Sequence, residues 1–178
     1  ELRRRRVLEA LTRWFEVEQV AGDLPGRVEQ AAKTAGKSTQ AAWGAPAPAE
    51  ENAAHPCVIG LAIHGHGDYL LTLRDIDRTG LLGDDRGPAW RDLDVAVLHR
   101  GIIERILGVA EGTQFVYEKN AARAMESVRC GDAGIGFILQ PTRPGQICAC
   151  AEAREPMPQK STYFFPKLPS GGIIHRLA

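Results

Sequence analysis

The sequence has no excess of charge of either sign, no long apolar run and few aromatic residues. Its 22 basic and 22 acidic side chains give a formal net charge of zero, so the basic surface used for general nucleic-acid binding is absent. No apolar run approaches the roughly 18 residues that a membrane helix needs, and no signal peptide is visible. These absences predict a cytoplasmic protein with neither a nucleic-acid nor a membrane partner.

Cysteines are also few, and their spacing excludes the common cysteine-based sites. None of Cys57, Cys130, Cys148 and Cys150 forms a C-x-x-C pair, so neither a zinc ribbon nor a zinc finger is indicated. Cys148 and Cys150 are two positions apart in a predicted helix, where their side chains point to different faces. We expect four free thiols, and no cofactor is evident in the sequence.

The sequence does not begin with methionine, and its first residues already follow a helical pattern, ELRRRRVLEALTRWF. We expect a single domain over residues 1–178 that forms the carboxy-terminal part of a longer protein. The stretch 40–56 is rich in Ala, Pro and Glu, and we expect it to be a mobile loop or an insertion.

The spacing of apolar residues predicts an α+β fold. Two strand-like runs, CVIGLAI and YLLTLR, flank the glycine-rich turn HGHGD, which predicts a β-hairpin. Farther on, QFVYE is typical of a strand, NAARAMESVRCG of a helix bounded by Asn120 and Gly131, and GIGFIL of another strand. The short joints between these three predict a parallel right-handed crossover. We therefore expect a mixed β-sheet covered by helices on at least one face.

The sequence also predicts one further strand, one loop and four further helices. FEVEQV indicates a short strand, and the segment 75–91 indicates a loop. The remaining predicted helices cover residues 2–15, 26–36, 93–107 and 143–153.

The helix at 93–107 carries one histidine within its apolar stripe. His99 has Val95 and Ile103 one turn away on either side, so it can be a core histidine bonded to a backbone carbonyl. It can also be a group at the edge of a site, with Asp94 or Glu104 as its partner. The sequence leaves both interpretations open.

Two histidines stand at the tip of the predicted hairpin. His64 and His66 are two positions apart, which on a strand places both imidazoles on one face, as a pair of metal ligands requires. Glycines flank both, so a plain turn is the simpler interpretation, and a third ligand such as Asp68 would be needed. We assign no metal, and this pair is kept as a weak alternative.

The segment 157–177, MPQKSTYFFPKLPSGGIIHRL, places three aromatic residues together between lysines and prolines. Its ammonium and hydroxyl groups are those that proteins use to hold phosphate or carboxylate, and the prolines lower the entropy cost of fixing them. A packing wedge is the other interpretation, with Phe164 and Phe165 beneath the sheet and the lysines in water. The anion-binding candidates are Lys160, Ser161, Thr162, Tyr163 and Lys167.

Three stretches resemble a known family: LDVAVLH, VYEKNAARAMESVRCGDAGIGFILQPT and above all the segment 157–177. They are similar to the carboxy-terminal half of the DUF1015 family, a group of bacterial and archaeal proteins of unknown function. The likeness runs in order from about residue 93 to the end and is weaker in the first helix and the hairpin. Phe164-Phe165 stands where the family more often has Phe-Tyr, and the stretch 40–56 resembles an insertion.

The resemblance implies a missing amino-terminal half, which would be this chain's partner within the same protein. In the family that half carries an Asp-Gly-His-His-Arg stretch, which this chain lacks. The stretch resembles the phosphate-handling motif of ParB-like and sulfiredoxin-like folds, including a free-serine kinase. By analogy, the complete protein would transfer phosphoryl groups to a small metabolite. Lys160, Ser161 and Thr162 would then help neutralise phosphate in a shared cleft, and this chain alone would be inactive.

Two hypotheses about function follow. The first is the carboxy-terminal domain of a cytoplasmic enzyme that acts on a phosphorylated or otherwise anionic small molecule, with His99 and Asp94 at the edge of its site. The second is a non-catalytic module for homodimerisation or regulatory binding, which predicts exposed apolar patches on the helix at 93–107. Catalytic residues stay unassigned, because Ser161 lacks the G-x-S-x-G context and no histidine is near it in sequence.

Overall fold

The computed structural model describes residues 2–35, 56–109, 113–158 and 160–162. The strands are β1 (Phe15–Val20), β2 (Val58–Ile63), β3 (Gly67–Leu73) and β4 (Ile135–Leu139). The α-helices are α1 (Leu2–Thr12), α2 (Leu24–Ala35), α3 (Thr79–Leu82), α4 (Pro88–Arg91), α5 (Asp94–Ala96), α6 (Ala121–Cys130) and α7 (Pro144–Glu152). A π-helix, Val97–Ile106, continues directly from α5.

The four strands form one antiparallel sheet in the order β1-β3-β2-β4. The predicted hairpin is confirmed as β2 and β3, and its turn contains Gly65 with φ 69° and leads into Gly67 with φ 101°. These backbone angles favour glycine because a Cβ atom is strained there. FEVEQV is also confirmed as a strand, β1, at one edge of the sheet.

The predicted parallel crossover is wrong. Residues 114–118, QFVYE, form no strand, and every strand pair in the described part of the chain is antiparallel. One edge of β2 is occupied by β3, so β4 pairs with the other edge, with Leu139 opposite Ile59. The α+β class is thus confirmed, but the sheet is not mixed.

Helices cover both faces of the sheet. On the first face, α1 and the π-helix pack against apolar side chains that include Phe15, Ile59 and Leu71. On the second face, α2 and α6 enclose a separate cluster that includes Leu70 and Ile138. Strand β2 is buried on both sides, which explains why its sequence is continuously apolar rather than alternating.

The approach of α2 to β2 is close enough to require glycine in the strand. A Cβ atom on Gly60 would lie 2.9 Å from Val28 Cγ2 and 3.1 Å from both Leu24 Cγ and Ile138 Cβ. Ordinary carbon–carbon contacts are about 3.5–4.0 Å. The missing side chain therefore sets the distance between the helix and the sheet.

Helix α6 begins and ends as its sequence predicts. The Asn120 side chain accepts hydrogen bonds from the amides of Ala122 and Arg123, at 3.0 and 3.2 Å, and Gly131 closes the helix at φ 85°. Elsewhere the boundaries differ. Helix α1 is shorter than predicted because Phe15 already belongs to β1, and the segment 75–91 contains the two short helices α3 and α4.

A third apolar cluster fixes α7 against the segment that leads into the π-helix. It contains Trp90, Leu93, Val95, Ala96 and Cys150. None of the described helices combines the length and apolarity that a membrane span requires. Residues 40–55 of the predicted loop 40–56, the aromatic residues 163–165 and the predicted last strand, GGIIHRL, lie outside the described residues.

Candidate functional site

Residues from distant parts of the sequence meet at the end of the sheet where β2 begins. Cys57, immediately before β2, is fully buried, and its carbonyl oxygen accepts a hydrogen bond from the Leu73 amide at 2.9 Å. Its thiol donates a hydrogen bond to the carboxylate of Asp94, the first residue of α5. Three charged side chains surround this pair. We define the sheet-end cluster as Cys57, Arg78, Asp92, Asp94 and Arg143.

The surroundings of Asp94 favour its protonated form. Burial raises the pKa of the Asp94 carboxyl above its ordinary value, while the hydrogen bond from Cys57 and the charges of Arg78 and Arg143 partly oppose this effect. The nearby charge of Asp92 adds to the increase. A carboxyl group with a raised pKa can donate or accept a proton closer to neutral pH than an exposed aspartate.

Cys57 has the properties of a structural hydrogen-bond donor. Burial raises the pKa of its thiol well above the ordinary value, and the charge of Asp94 and the hydrogen bond to it act in the same direction. The thiol therefore stays protonated at neutral pH, and a protonated thiol is a poor nucleophile. All four cysteines are free, as expected, with Cys148 exposed and Cys150 buried.

The guanidinium of Arg78 is already engaged within the cluster. Its Nη1 atom lies 3.0 Å from Asp92 Oδ1 and donates to the Arg91 carbonyl oxygen, also at 3.0 Å. The side chain is only 20% exposed, so this ion pair is more shielded from water than those at the surface. Arg78 therefore holds Asp92 in place beside Asp94.

A buried glutamine joins α7 to the cluster. The Gln146 side chain donates to the Asp92 carbonyl oxygen at 2.9 Å and accepts from the Arg143 amide at 3.1 Å. Arg143 is the residue before the first turn of α7, and that turn contains no acidic side chain. Since the amino-terminal end of a helix carries partial positive charge, Arg143 and the helix together make this position electropositive.

The predicted anion-binding segment lies beside this helix end. The Thr142 hydroxyl donates to the Ser161 carbonyl oxygen at 2.6 Å, and the Ser161 hydroxyl donates to the Pro158 carbonyl oxygen. Lys160 is exposed and has a left-handed backbone with φ 62°, a conformation that a non-glycine residue keeps only when its neighbours hold it. The exposed residue Thr162 follows, whereas Tyr163 and Lys167 lie outside the described residues.

The Ser161 hydroxyl is less available to bind an anion than the sequence predicts. A hydroxyl has one proton to donate, and this one is used on Pro158. Within the segment 160–162, the ammonium of Lys160 is therefore better suited to meet an anion than the Ser161 hydroxyl.

His99 lies away from the sheet-end cluster. It is half-buried in the π-helix, with its ring centroid 6.0 Å from that of Phe115 and 6.3 Å from that of Tyr117. Burial lowers the pKa of His99, and the charge of Glu104 opposes this effect. Of the two partners that the sequence suggests, Glu104 is the one that acts on His99, whereas Asp94 is bonded to Cys57.

The hairpin histidines lie at the opposite end of β2. His64 lies seven positions after Cys57, which corresponds to about 23 Å along an extended strand. His64 Nδ1 is 2.7 Å from the Val128 carbonyl oxygen in the last turn of α6, so His64 ties the hairpin to that helix. Among the described residues, no group of three His, Cys, Asp or Glu side chains is arranged to hold a metal ion.

Sequence reasoning identified Asp94 and the segment 160–162 but missed the groups that join them. Arg143 had one usable signal, since it directly precedes a proline at the start of a predicted helix. Cys57, Arg78 and Gln146 had none, because their roles depend on contacts between residues 13 to 54 positions apart.

Comparison with known proteins identifies no relative of this chain. A scan against protein-family models, a search of curated proteins and a search of solved structures each found no match. The likeness to DUF1015 therefore stays a prediction.

Proposed function

We propose that this chain is the anion-binding domain of a cytoplasmic enzyme that acts on a phosphorylated or otherwise anionic small molecule. One observation carries the proposal. The hydrogen bond from Thr142 to Ser161 joins the residue before Arg143 to the residue after Lys160, and the charge of Arg143 lowers the pKa of Asp94. We infer that these two cationic groups and the protonatable carboxyl of Asp94 serve one site at this end of the sheet.

Arg143 is the residue on which the anion would bind. Arg78 is engaged by Asp92, whereas Arg143 stands at the amino-terminal end of α7 and presents a planar guanidinium that matches phosphate oxygens. The helix end adds partial positive charge in the same place. The ammonium of the exposed Lys160 would add a second, weaker interaction with the anion.

Asp94 is the residue in this proposal that would move a proton. Groups with perturbed pKa values cluster at functional sites, and Asp94 combines a raised pKa with two neighbouring arginines. A protonated carboxyl could donate to an oxygen atom of a bound anion, and its carboxylate could then recover the proton. Cys57 would keep the carboxyl oriented through its hydrogen bond.

The resemblance to DUF1015 supports the same proposal by analogy. It would make this chain the carboxy-terminal half of a longer protein, in which an upstream half supplies the phosphoryl-transfer chemistry. Membership of that family is part of the proposal, as is the cytoplasmic location.

Calorimetric titration of the chain with inorganic phosphate at low ionic strength tests the site. Loss of a charge-assisted hydrogen bond costs about 1.5–3 kcal/mol, so we expect Arg143→Gln to raise Kd about 10- to 150-fold. Arg143→Lys should recover part of the affinity, because it keeps the charge but not the forked geometry. Lys160→Ala should raise Kd only about two- to fivefold, since the residue is exposed.

The matched control is Arg123→Gln. Arg123 is an exposed arginine on α6, which packs on the second face of the sheet, and its removal lowers the net charge by the same amount. Equal phosphate affinity in Arg143→Gln and Arg123→Gln, or no binding by the native chain, would overturn the proposal.

One observation favours the alternative of a binding module. The helix at 93–107 buries its apolar residues, including Leu98, Ile102 and Ile103, so the exposed patch that this alternative predicts is not on that helix. Phe115, Val116 and Tyr117 are exposed instead, in the segment that follows.

A further inference from the structure

The segment 114–118, QFVYE, is an apolar stretch on the surface of the molecule. Val116 is 96% exposed, and Phe115 and Tyr117 are 42% and 54% exposed. Both aromatic rings contact His99, while Val116 between them does not. Side chains that alternate in this way are typical of an extended chain. A stretch that exposes three large apolar side chains in sequence is unusual for a surface that remains in water.

The backbone of this segment has no backbone partner among the described residues. Within residues 2–35, 56–109, 113–158 and 160–162, no backbone group hydrogen-bonds to an amide or carbonyl of residues 114–118. Extended backbone with free amides and carbonyls is a ready template for another strand. The residue types favour a strand as well, because Phe, Val and Tyr are preferred in sheets.

We propose that this segment pairs with the same segment of a second copy of the chain, antiparallel and centred on Val116. In that register Val116 faces its own copy, Phe115 faces Tyr117, and Gln114 faces Glu118. Two aromatic cross-strand pairs form, and such pairs stabilise a sheet. This surface is separate from the sheet-end cluster and does not depend on the proposed anion site.

Charge and shape favour a second copy in this register. Each Glu118 lies opposite a neutral Gln114, so no like charges face one another. A parallel pairing in register would instead place Glu118 opposite Glu118. The segment is thus self-complementary only in the antiparallel arrangement, which is the arrangement that a twofold axis generates.

The expected dimer is weak. Five paired residues span about 17 Å, so the contact falls in the small-interface class typical of transient association. We expect the mass measured by light scattering to rise with protein concentration above on the order of 100 µM. Val116→Lys places like charges opposite each other at the centre and should abolish that rise, without loss of folding at a position that is 96% exposed.

Disulfide trapping tests the register directly. In a background with Cys130→Ser and Cys148→Ser, which removes the exposed native thiols, Val116→Cys should form a covalent dimer under mild oxidation. Directly opposite residues have Cα atoms about 4.5–5.5 Å apart, within disulfide range. Glu152→Cys, an exposed position on α7, is the control.

A mixed pair of variants distinguishes this register from random collision. Gln114→Cys alone should not cross-link, because its copy would lie about 14 Å away along the strand, whereas Gln114→Cys mixed with Glu118→Cys should. The proposal is overturned if Val116→Cys cross-links no faster than Glu152→Cys. It is also overturned if the mixed pair behaves like Gln114→Cys alone, or if the chain stays monomeric to about 1 mM. A monomer would indicate that a different polypeptide covers the segment.

Discussion

Replacement of Gly60 by alanine should destabilise the protein, because the sheet and α2 leave no room for a methyl group. The added Cβ atom would meet Val28 Cγ2 at 2.9 Å and Leu24 Cγ and Ile138 Cβ at 3.1 Å. Each distance is several tenths of an ångström shorter than an ordinary carbon–carbon contact. Two of the contacts belong to α2 and one to the neighbouring strand β4, so no single side-chain rotation relieves all three.

The expected cost follows from this overpacking. Insertion of an extra methyl group into a packed core costs about 1–3 kcal/mol. For a chain of this length, each kcal/mol lowers Tm by about 2–4 °C, so Tm should fall by about 2–12 °C. Urea denaturation followed by circular dichroism would give the corresponding change in the free energy of unfolding.

Gly134→Ala is the matched control for this prediction. Gly134 is exposed, a Cβ atom there would meet nothing within 4 Å, and its φ is not in the left-handed region. We expect it to be neutral or to stabilise the protein by about 0.4–1 kcal/mol through the unfolded state. If Gly60→Ala unfolds at the same urea concentration as Gly134→Ala, the packing of α2 on β2 is not as close as described.

Two further predictions concern the sheet-end cluster. Because burial raises the pKa of Asp94, its contribution to stability is present in acid and is lost as the pH rises through that raised pKa. The side chain of Asp94→Asn cannot ionise. Between about pH 4 and about pH 8, urea denaturation should therefore show the variant gaining stability relative to the native protein. A difference in the free energy of unfolding that does not change with pH would contradict this prediction. Thr142→Val removes the hydrogen bond to Ser161, so trypsin should cleave this variant after Lys160 faster than it cleaves a Thr162→Val control. Equal cleavage rates would show that this hydrogen bond does not hold residues 160–162 in place.

The parts of the fold encoded by neighbouring residues could be predicted from the sequence. The hairpin follows from two apolar runs around a glycine-rich turn, and α6 follows from Asn120 and Gly131 at its ends. In each case the signal and the structure lie within about 15 residues of each other. The hairpin and α6 can therefore be predicted without knowing how side chains pack across the molecule.

The absence of the crossover could not be predicted, because the strand preference of a segment does not identify the strand with which it pairs. QFVYE has the residues of a strand, yet no described strand lies beside it, and β4 reaches an edge of β2 that is free. The same limit applies to the site. Asp94 and Lys160 could be suspected from their neighbours in sequence, but the position of Arg143 beside them appears only in the structure, where Gln146 joins α7 to Asp92.

The position of β4 has a consequence for the order in which the protein folds. Ile63 pairs with Gly67 four positions away and with Ile135 seventy-two positions away, and closing the longer loop costs about 2.5 kcal/mol more chain entropy. We expect the hairpin to form early and β4 to dock late. Arg143 follows β4 by four residues, so the proposed anion-binding end would be assembled in the last step. Recovery of phosphate binding during refolding should then lag behind recovery of the hairpin.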